Sequence, residues 1–340
     1  MATTHLVTGL SLSLISGIFL GTFAWPMKKI LLWKWENTWL LYSFWALIIL
    51  PWSLAFITVP DLWSIYMNTP FSVLLTVFLF GAGWGIASIG FGIGLNTIGL
   101  SLGTAIVLGL NNAIGSILPI ILYTPNELIS PAGKDILLGV AIMLGGILFC
   151  AIAGSQKEKA LQKRENNTLK NNHFTKGLII CLIAGVFGAM FNFALVAGKP
   201  MEVLSVQHGA SVLNAANPTW CVSLLGGFVI TLAYCLYLFR NNGTGKLMST
   251  PGLLKNWFYT AIMGFMWFGG VALFGIAVMN LGKLGASIGW PVIQSMAVLS
   301  GNVVGIISGE WKGSGRKPLA TMLIGLLLLV VGILVISGSF

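Results

Sequence analysis

The residues Gly81–Gly103, GAGWGIASIGFGIGLNTIGLSLG, decide the fold, because the chain comes close to writing them twice. At an offset of 183 residues Gly81, Trp84, Phe91, Gly92, Ile93 and Gly99 meet Gly264, Trp267, Phe274, Gly275, Ile276 and Gly282. Working outward, Gly17, Phe19 and Phe23 meet Gly185, Phe187 and Phe191 at an offset of 168. Gly139, Gly146, Ile147 and Leu148 meet Gly325, Gly332, Ile333 and Leu334 at 186. Matches in one order, with offsets that drift only as loops lengthen, divide the chain into two homologous halves. The expected organisation is a first repeat over 1–154, a basic linker over 155–176 and a second repeat over 177–340.

Composition sets the environment. Of 340 residues, 56% are hydrophobic and 8% charged, against about 25% charged in an ordinary soluble domain. Several charge-free apolar runs reach the roughly 20 residues that a helix needs to cross a bilayer, whereas a β-barrel would show short alternating segments. The expectation is an all-α integral membrane protein. The formal charge of +10 sits in loops, where anionic lipid and topology account for it, so no nucleic-acid partner is expected. Cys150, Cys181, Cys221 and Cys235 all fall in apolar runs without CxxC spacing, which argues against disulfides and structural zinc. The N-terminal MATTHLVTGL lacks the basic start and cleavage site of a signal peptide, so its apolar run is read as the first span.

Ten spans fit: Leu6–Trp25, Trp39–Val59, Phe71–Leu95, Leu100–Tyr123, Ile136–Ala153, Gly177–Gly198, Val212–Phe239, Trp257–Asn280, Ala286–Ser308 and Leu319–Ser337. The division at Asn96-Thr97-Ile98-Gly99 is marked by no charge, but Gly99 pairs with Gly282, beside Lys283 in a plain second-half loop. Of the 18 Lys and Arg, all but Lys134, Lys199 and Lys283 fall in odd-numbered loops. The positive-inside rule then makes the odd loops cytoplasmic and puts both termini outside a bacterial cytoplasmic membrane. Five spans per half is an odd number, so the second half enters the membrane in the opposite sense. A 5+5 inverted repeat of this kind is common among secondary transporters, whose site lies near the midplane between the halves. The 43 glycines fit close helix packing, with GxxxG spacing at Gly17/Gly21 and Gly301/Gly305/Gly309.

Catalytic signatures are lacking: no HExxH, P-loop or GxSxG occurs, and no Asp, Glu or His lies mid-span. Neither an ATP-driven pump nor a hydrolase is supported, and no cofactor or metal is expected. The mid-span polar and aromatic residues are Trp84, Asn111, Asn112, Asn192, Trp267, Trp290 and Gln294. A buried amide must find a partner, either a neighbouring helix or a ligand. Trp290, Gln294, Ala297 and Gly301 share one face of span nine, and Gly185, Gly188 and Asn192 share one of span six. Amide and aromatic groups on such stripes suit an uncharged polyol, whose hydroxyls need partners and whose C–H face stacks on rings. Trp84 and Trp267 serve equally as packing residues, and their twinned positions put them at the centre either way. For proton coupling the candidates are Glu202 and His208, in the loop expected after span six with Lys199.

From Pro26 the chain reads PMKKILLWKWENTW, followed by Leu50-Pro51-Trp52, FLFGAGWGI at Phe78–Ile86, the LGLN and LSLG stretches, Lys199-Pro200-Met201, and EWKGSGRKP at Glu310–Pro318. Over nearly its whole length it resembles the bacterial L-rhamnose-proton symporters of the drug/metabolite transporter superfamily. The resemblance implies ten helices, an inner-membrane location and proton-driven uptake of L-rhamnose or a related monosaccharide. It departs from the family pattern at Asn96-Thr97 and at Ala286-Ser287-Ile288-Gly289. A second reading is transport of another small metabolite, such as an amino acid. The loops are short for a sensing or scaffolding protein.

Overall fold

The computed structural model describes residues 2–98, 100–123, 125–165, 174–250, 254–282, 285–309 and 311–337, and all regular structure among them is helical. In lipid every backbone N–H and C=O must be satisfied without water, and a helix does this within its own segment. The apolar runs form α1 (Ala2–Thr22), α2 (Trp35–Thr58), α3 (Phe71–Ile98), α4 (Leu100–Tyr123) and α5 (Pro131–Glu165). Then come α6, in three segments (Phe174–Gly188, Met190–Ala197 and Lys199–Gln207), α7 (Asn217–Asn242), α8 (Leu254–Leu281), α9 (Gly285–Ile307) and α10 (Arg316–Ser337). Nine of these stretches are long and apolar enough to cross a membrane, and the described apolar part of α4, Ile106–Leu122, is shorter. Gly99, Lys283, Glu310, Phe340 and residues 166–173 of the expected linker lie outside the described residues.

Helix ends differ from expectation where local chemistry carries the helix onward. α5 continues well past Ala153, and α6 resumes after Gly198 with Pro200 in its first turn, where a missing N–H is harmless. Residues Lys199–Gln207, expected as loop, are therefore helical. α7 starts at Asn217-Pro218 instead of Val212 and stops at Gly243, whose φ of +66° suits glycine at a helix C-terminus. Within α2 the turn Phe44–Ile49 widens to π geometry just before Pro51, whose ring clashes with the carbonyl four residues earlier in a regular helix.

The packing partners come in matched sets. α1 packs along α8 and α9, and α6 packs along α3 and α4. α3 packs on α7 as α8 packs on α2, and α5 lies along α10. Small residues allow these approaches. A β-carbon on Gly139 would lie 3.0 Å from the Gly332 carbonyl oxygen, and one on Gly146 would lie 2.9 Å from that of Gly325, so α5 and α10 run antiparallel. Gly17 meets Ile293 and Met296 on α9, and its repeat mate Gly185 meets Val107 and Leu110 on α4. Leu79, Ile86, Ile183, Leu323 and Leu327 stay exposed on the outer faces, as expected of side chains bathed in lipid rather than water.

Candidate functional site

Repeat mates meet at the centre. Trp84 on α3 and Trp267 on α8 bring their rings to 5.2 Å at 32°, and Phe191 lies 5.2 Å from Trp84 and 6.0 Å from Trp267. Around this group are two adjoining half-enclosed voids of about 290 and 280 Å³, which share Phe23, Trp84, Phe91, Leu108, Asn111 and Trp267. Trp290, Gln294 and Ala297 line the first void, so the stripe on α9 faces the cavity, and it continues to Gly301, where a β-carbon would lie 3.2 Å from the Gly21 carbonyl oxygen.

The amides divide into two groups. Asn111 is 9% exposed and lines both voids, and its Oδ1 finds no hydrogen-bond donor among the described residues. Asn112, one residue on, is fully buried beside Ser116 and lines neither void. Asn192 lines neither void, and its Nδ2 donates to the Gly115 carbonyl at 2.8 Å. Pro119 explains that bond. Lacking an N–H, it leaves the carbonyl four residues back without its helical donor, and Asn192 supplies one from α6. The stripe Gly185, Gly188, Asn192 is thus a seam against α4, with Gly188 giving room to the Asn111 side chain.

Trp290 both lines the cavity and locks helices. Its indole rests on Gly115 and donates from Nε1 to the Asn111 carbonyl at 3.2 Å. On the same side the cavity is closed by rings: Phe191 stacks on Trp220 at 5.1 Å, Trp220 meets Phe274 at 6.2 Å, and Phe274 meets Trp290 at 5.7 Å. The second void runs away from this cluster past Thr231 in the middle of α7 toward Trp35, Trp39 and Tyr42, at the end of α2 that adjoins loop one. Sequence reading missed Trp35, Trp39 and Tyr42, although their i, i+4, i+7 spacing marks one helix face. Their rings lie 5.1 Å apart in succession. Phe91 and Phe274, already singled out by the repeat, both line the first void.

The two proton-coupling candidates lie elsewhere. His208 bridges helices, with Nε2 at 3.2 Å from Ser64 Oγ and Nδ1 at 2.9 Å from the Leu204 carbonyl oxygen. Glu202 is only 4% exposed and pairs with Lys199 at 2.7 Å. No cluster of His, Cys, Asp or Glu suited to a metal occurs among the described residues.

A bundle of apolar helices around a half-open cavity, walled by rings and neutral amides, defines a membrane transporter. Residues 2–339 match the family model described as L-rhamnose-proton symport protein (RhaT), and the chain belongs to that family. A protein named L-rhamnose-proton symporter from Yersinia pestis (strain Pestoides F) is 31% identical over 334 residues, 96% of each chain. One of the same name from Pectobacterium atrosepticum is 33% identical over 317 residues, 90% of each chain. A solved crystal structure, described only as that of a protein, shares the fold with a TM-score of 0.55 at 12% identity, covering 97% of this chain and 96% of its own.

Proposed function

We propose that the protein takes up L-rhamnose or a closely related monosaccharide together with a proton, by alternating access across the bacterial inner membrane. The observation that carries this reading is Asn111 Oδ1, a buried acceptor in the wall of both voids and without a donor among the described residues. A sugar hydroxyl supplies the missing hydrogen. Gln294 offers a second amide, and Trp84 and Trp267 offer faces for the C–H side of a pyranose. Asn192 holds α6 to α4, Asn112 is buried beside Ser116 on its own helix, and Trp290 ties α9 to α4 while closing the cavity. Family membership supports the proton-coupled class, and the drug/metabolite transporter superfamily is the wider group to which we assign the fold.

The matched packing sets support a 5+5 inverted repeat of ten spans with its halves at 1–154 and 177–340. A two-fold axis in the membrane plane would exchange α5 with α10 and turn the Gly139–Gly332 contact into the Gly325–Gly146 contact, as both are seen. The basic odd loops put the open end of the cavity on the cytoplasmic side, so this arrangement is inward-open with an aromatic barrier outside. Reporter fusions check the orientation: one after Phe340 is expected to read periplasm and one in 157–170 cytoplasm, and a cytoplasmic C-terminus would sink the ten-span inverted repeat.

Binding tests the site. L-rhamnose at 100 times its dissociation constant is expected to stabilise the purified protein by about 2.7 kcal/mol. Gln294→Ala should retain its expression and unliganded melting temperature while its affinity drops about tenfold or more, a loss of about 1–3 kcal/mol for one buried hydrogen bond. Unchanged affinity in that variant would remove α9 from the sugar site. Stabilisation by an amino acid and by no sugar in a ligand panel would favour the second reading.

A further inference from the structure

The two-fold relation between the halves also pairs their aromatic barriers. Gly81 on α3 meets the Ser223 backbone on α7, and its repeat mate Gly264 on α8 meets Trp45 on α2. Ser223 therefore stands against Trp45 at an offset of 178, and the same offset sets Trp220 against Tyr42. This value falls between the 168 of α1 with α6 and the 183 of α3 with α8, in line with the drift along the chain. The rings agree. Phe191 stacks on Trp220 at 5.1 Å and 17°, and their mates Phe23 and Tyr42 stack at 5.3 Å and 28°.

Beyond these stacks the two barriers differ. On the outer side Phe191 also reaches Trp84 and Trp267, Trp220 meets Phe274 at 6.2 Å, and a β-carbon on Gly275 would lie 2.9 Å from Trp220 Nε1. None of the mated contacts is made on the inner side among the described residues: Phe23 touches the ring of neither Trp84 nor Trp267, and Tyr42 does not reach Phe91. A β-carbon on Gly92, the mate of Gly275, would meet nothing within 4 Å. Phe23, Tyr42, Phe91 and Gly92 line the second void instead. Glycine inside a helix is less stable than alanine, and here no neighbour requires it, since an alanine methyl would stand free in the void.

We propose that Gly92 is the seat on which Tyr42 closes the cytoplasmic mouth when the cavity opens outward. This rests on the alternating-access reading above. In the outward-open state the Tyr42 ring lies on Gly92 beside Phe91, as Trp220 lies on Gly275 beside Phe274 now, and Phe23 moves in on Trp84 and Trp267. Trp220 meanwhile lifts from Gly275. Its indole N–H, buried here without an acceptor among the described residues, then faces the outer opening and donates to water or to a hydroxyl of the arriving sugar. Satisfying that donor offsets part of the cost of opening the outer barrier.

Cysteine accessibility reads the two states with no sugar present. The background carries alanine at the four native cysteines, and the reporter is Val271→Cys, a buried position in the wall of the first void. In right-side-out vesicles an impermeant thiol reagent added outside reaches it only while the cavity is outward-open. Gly92→Ala is expected to keep parental yield and melting temperature, while outside labelling slows about tenfold or more, because overpacking penalises the Tyr42-closed state alone. Gly275→Ala should do the opposite and speed outside labelling, since its methyl crowds the barrier that is closed now. Unchanged labelling in folded Gly92→Ala, or a change of the same sign in both variants, overturns the proposal. Should Gly92→Ala fail to fold, Tyr42→Leu decides: loss of the closing ring should slow outside labelling about twofold or more, and an unchanged rate overturns the proposal. Failure of L-rhamnose to bind leaves this readout intact, whereas a parent reporter never labelled from outside sinks alternating access and the Gly92 seat with it.

Discussion

Gly81→Val is expected to leave little or no folded protein in the membrane. A β-carbon at Gly81 on α3 would overlap the carbonyl of Ser223 on α7, and one at Gly226 would overlap that of Phe78. Both obstacles are helix backbone, which cannot rotate away as a side chain can. Overpacking a yielding core costs about 1–3 kcal/mol, and here the helices must separate, so the cost should reach the upper end or beyond. That is a large share of the roughly 5–15 kcal/mol that separates a folded protein from its unfolded chain. The separation would also widen the gap around Trp84, whose ring lies against Gly227. The measurement is detergent-extracted yield with a monodisperse elution profile. Gly145→Ala serves as the control, since a β-carbon there meets nothing within 4 Å and alanine favours the helix. Equal yields for the two variants would contradict the α3–α7 seam.

Asn111→Leu is expected to abolish sugar-dependent stabilisation while preserving the fold. Leucine nearly matches the volume and removes the amide, so the Gly188 contact survives and an unpaired buried acceptor is replaced by apolar atoms. Exchanging an unsatisfied polar group for a hydrocarbon of similar shape is neutral or stabilising, so the unliganded melting temperature should hold or rise. A ligand hydroxyl would lose its acceptor and its own hydrogen would be stranded, a penalty of about 1–3 kcal/mol that places affinity about five- to 150-fold lower. Isothermal titration with L-rhamnose reads this directly. Parental affinity in a folded Asn111→Leu protein would move the sugar away from α4. A variant that loses its melting temperature but binds normally when folded would make Asn111 a structural residue like Asn192.

The parts of this fold legible in the sequence are those written twice. The twinned Trp84 and Trp267, and Phe91 with Phe274, announced a centre, where the two Trp rings meet and both Phe side chains line the first void. Spacing on α9 likewise announced a cavity-facing stripe, because a helix fixes which residues share a face. What spacing cannot rank is two amides side by side. Asn111 and Asn112 are equally polar and about 100° apart on one helix, and only the positions of α6 and α9 decide that one lines a void and the other is buried beside Ser116. Pro119 fixed in advance that the Gly115 carbonyl needs a donor, but the donor lies 77 positions away on another helix. The burial of Glu202 was hidden for a different reason. Lys199-Pro200 reads as a helix end followed by solvent, whereas the chain restarts a helix there and folds the carboxylate inward.

Whether a proton gradient drives the sugar is read from uptake of labelled L-rhamnose into proteoliposomes that hold only the purified protein, with the inside buffered alkaline and the outside acidic. Sugar is expected to accumulate above its external concentration and to collapse to equilibrium when a protonophore dissipates the gradient. Uptake that merely equilibrates, with the same extent and rate whether or not the pH gradient is present, would contradict proton-coupled transport.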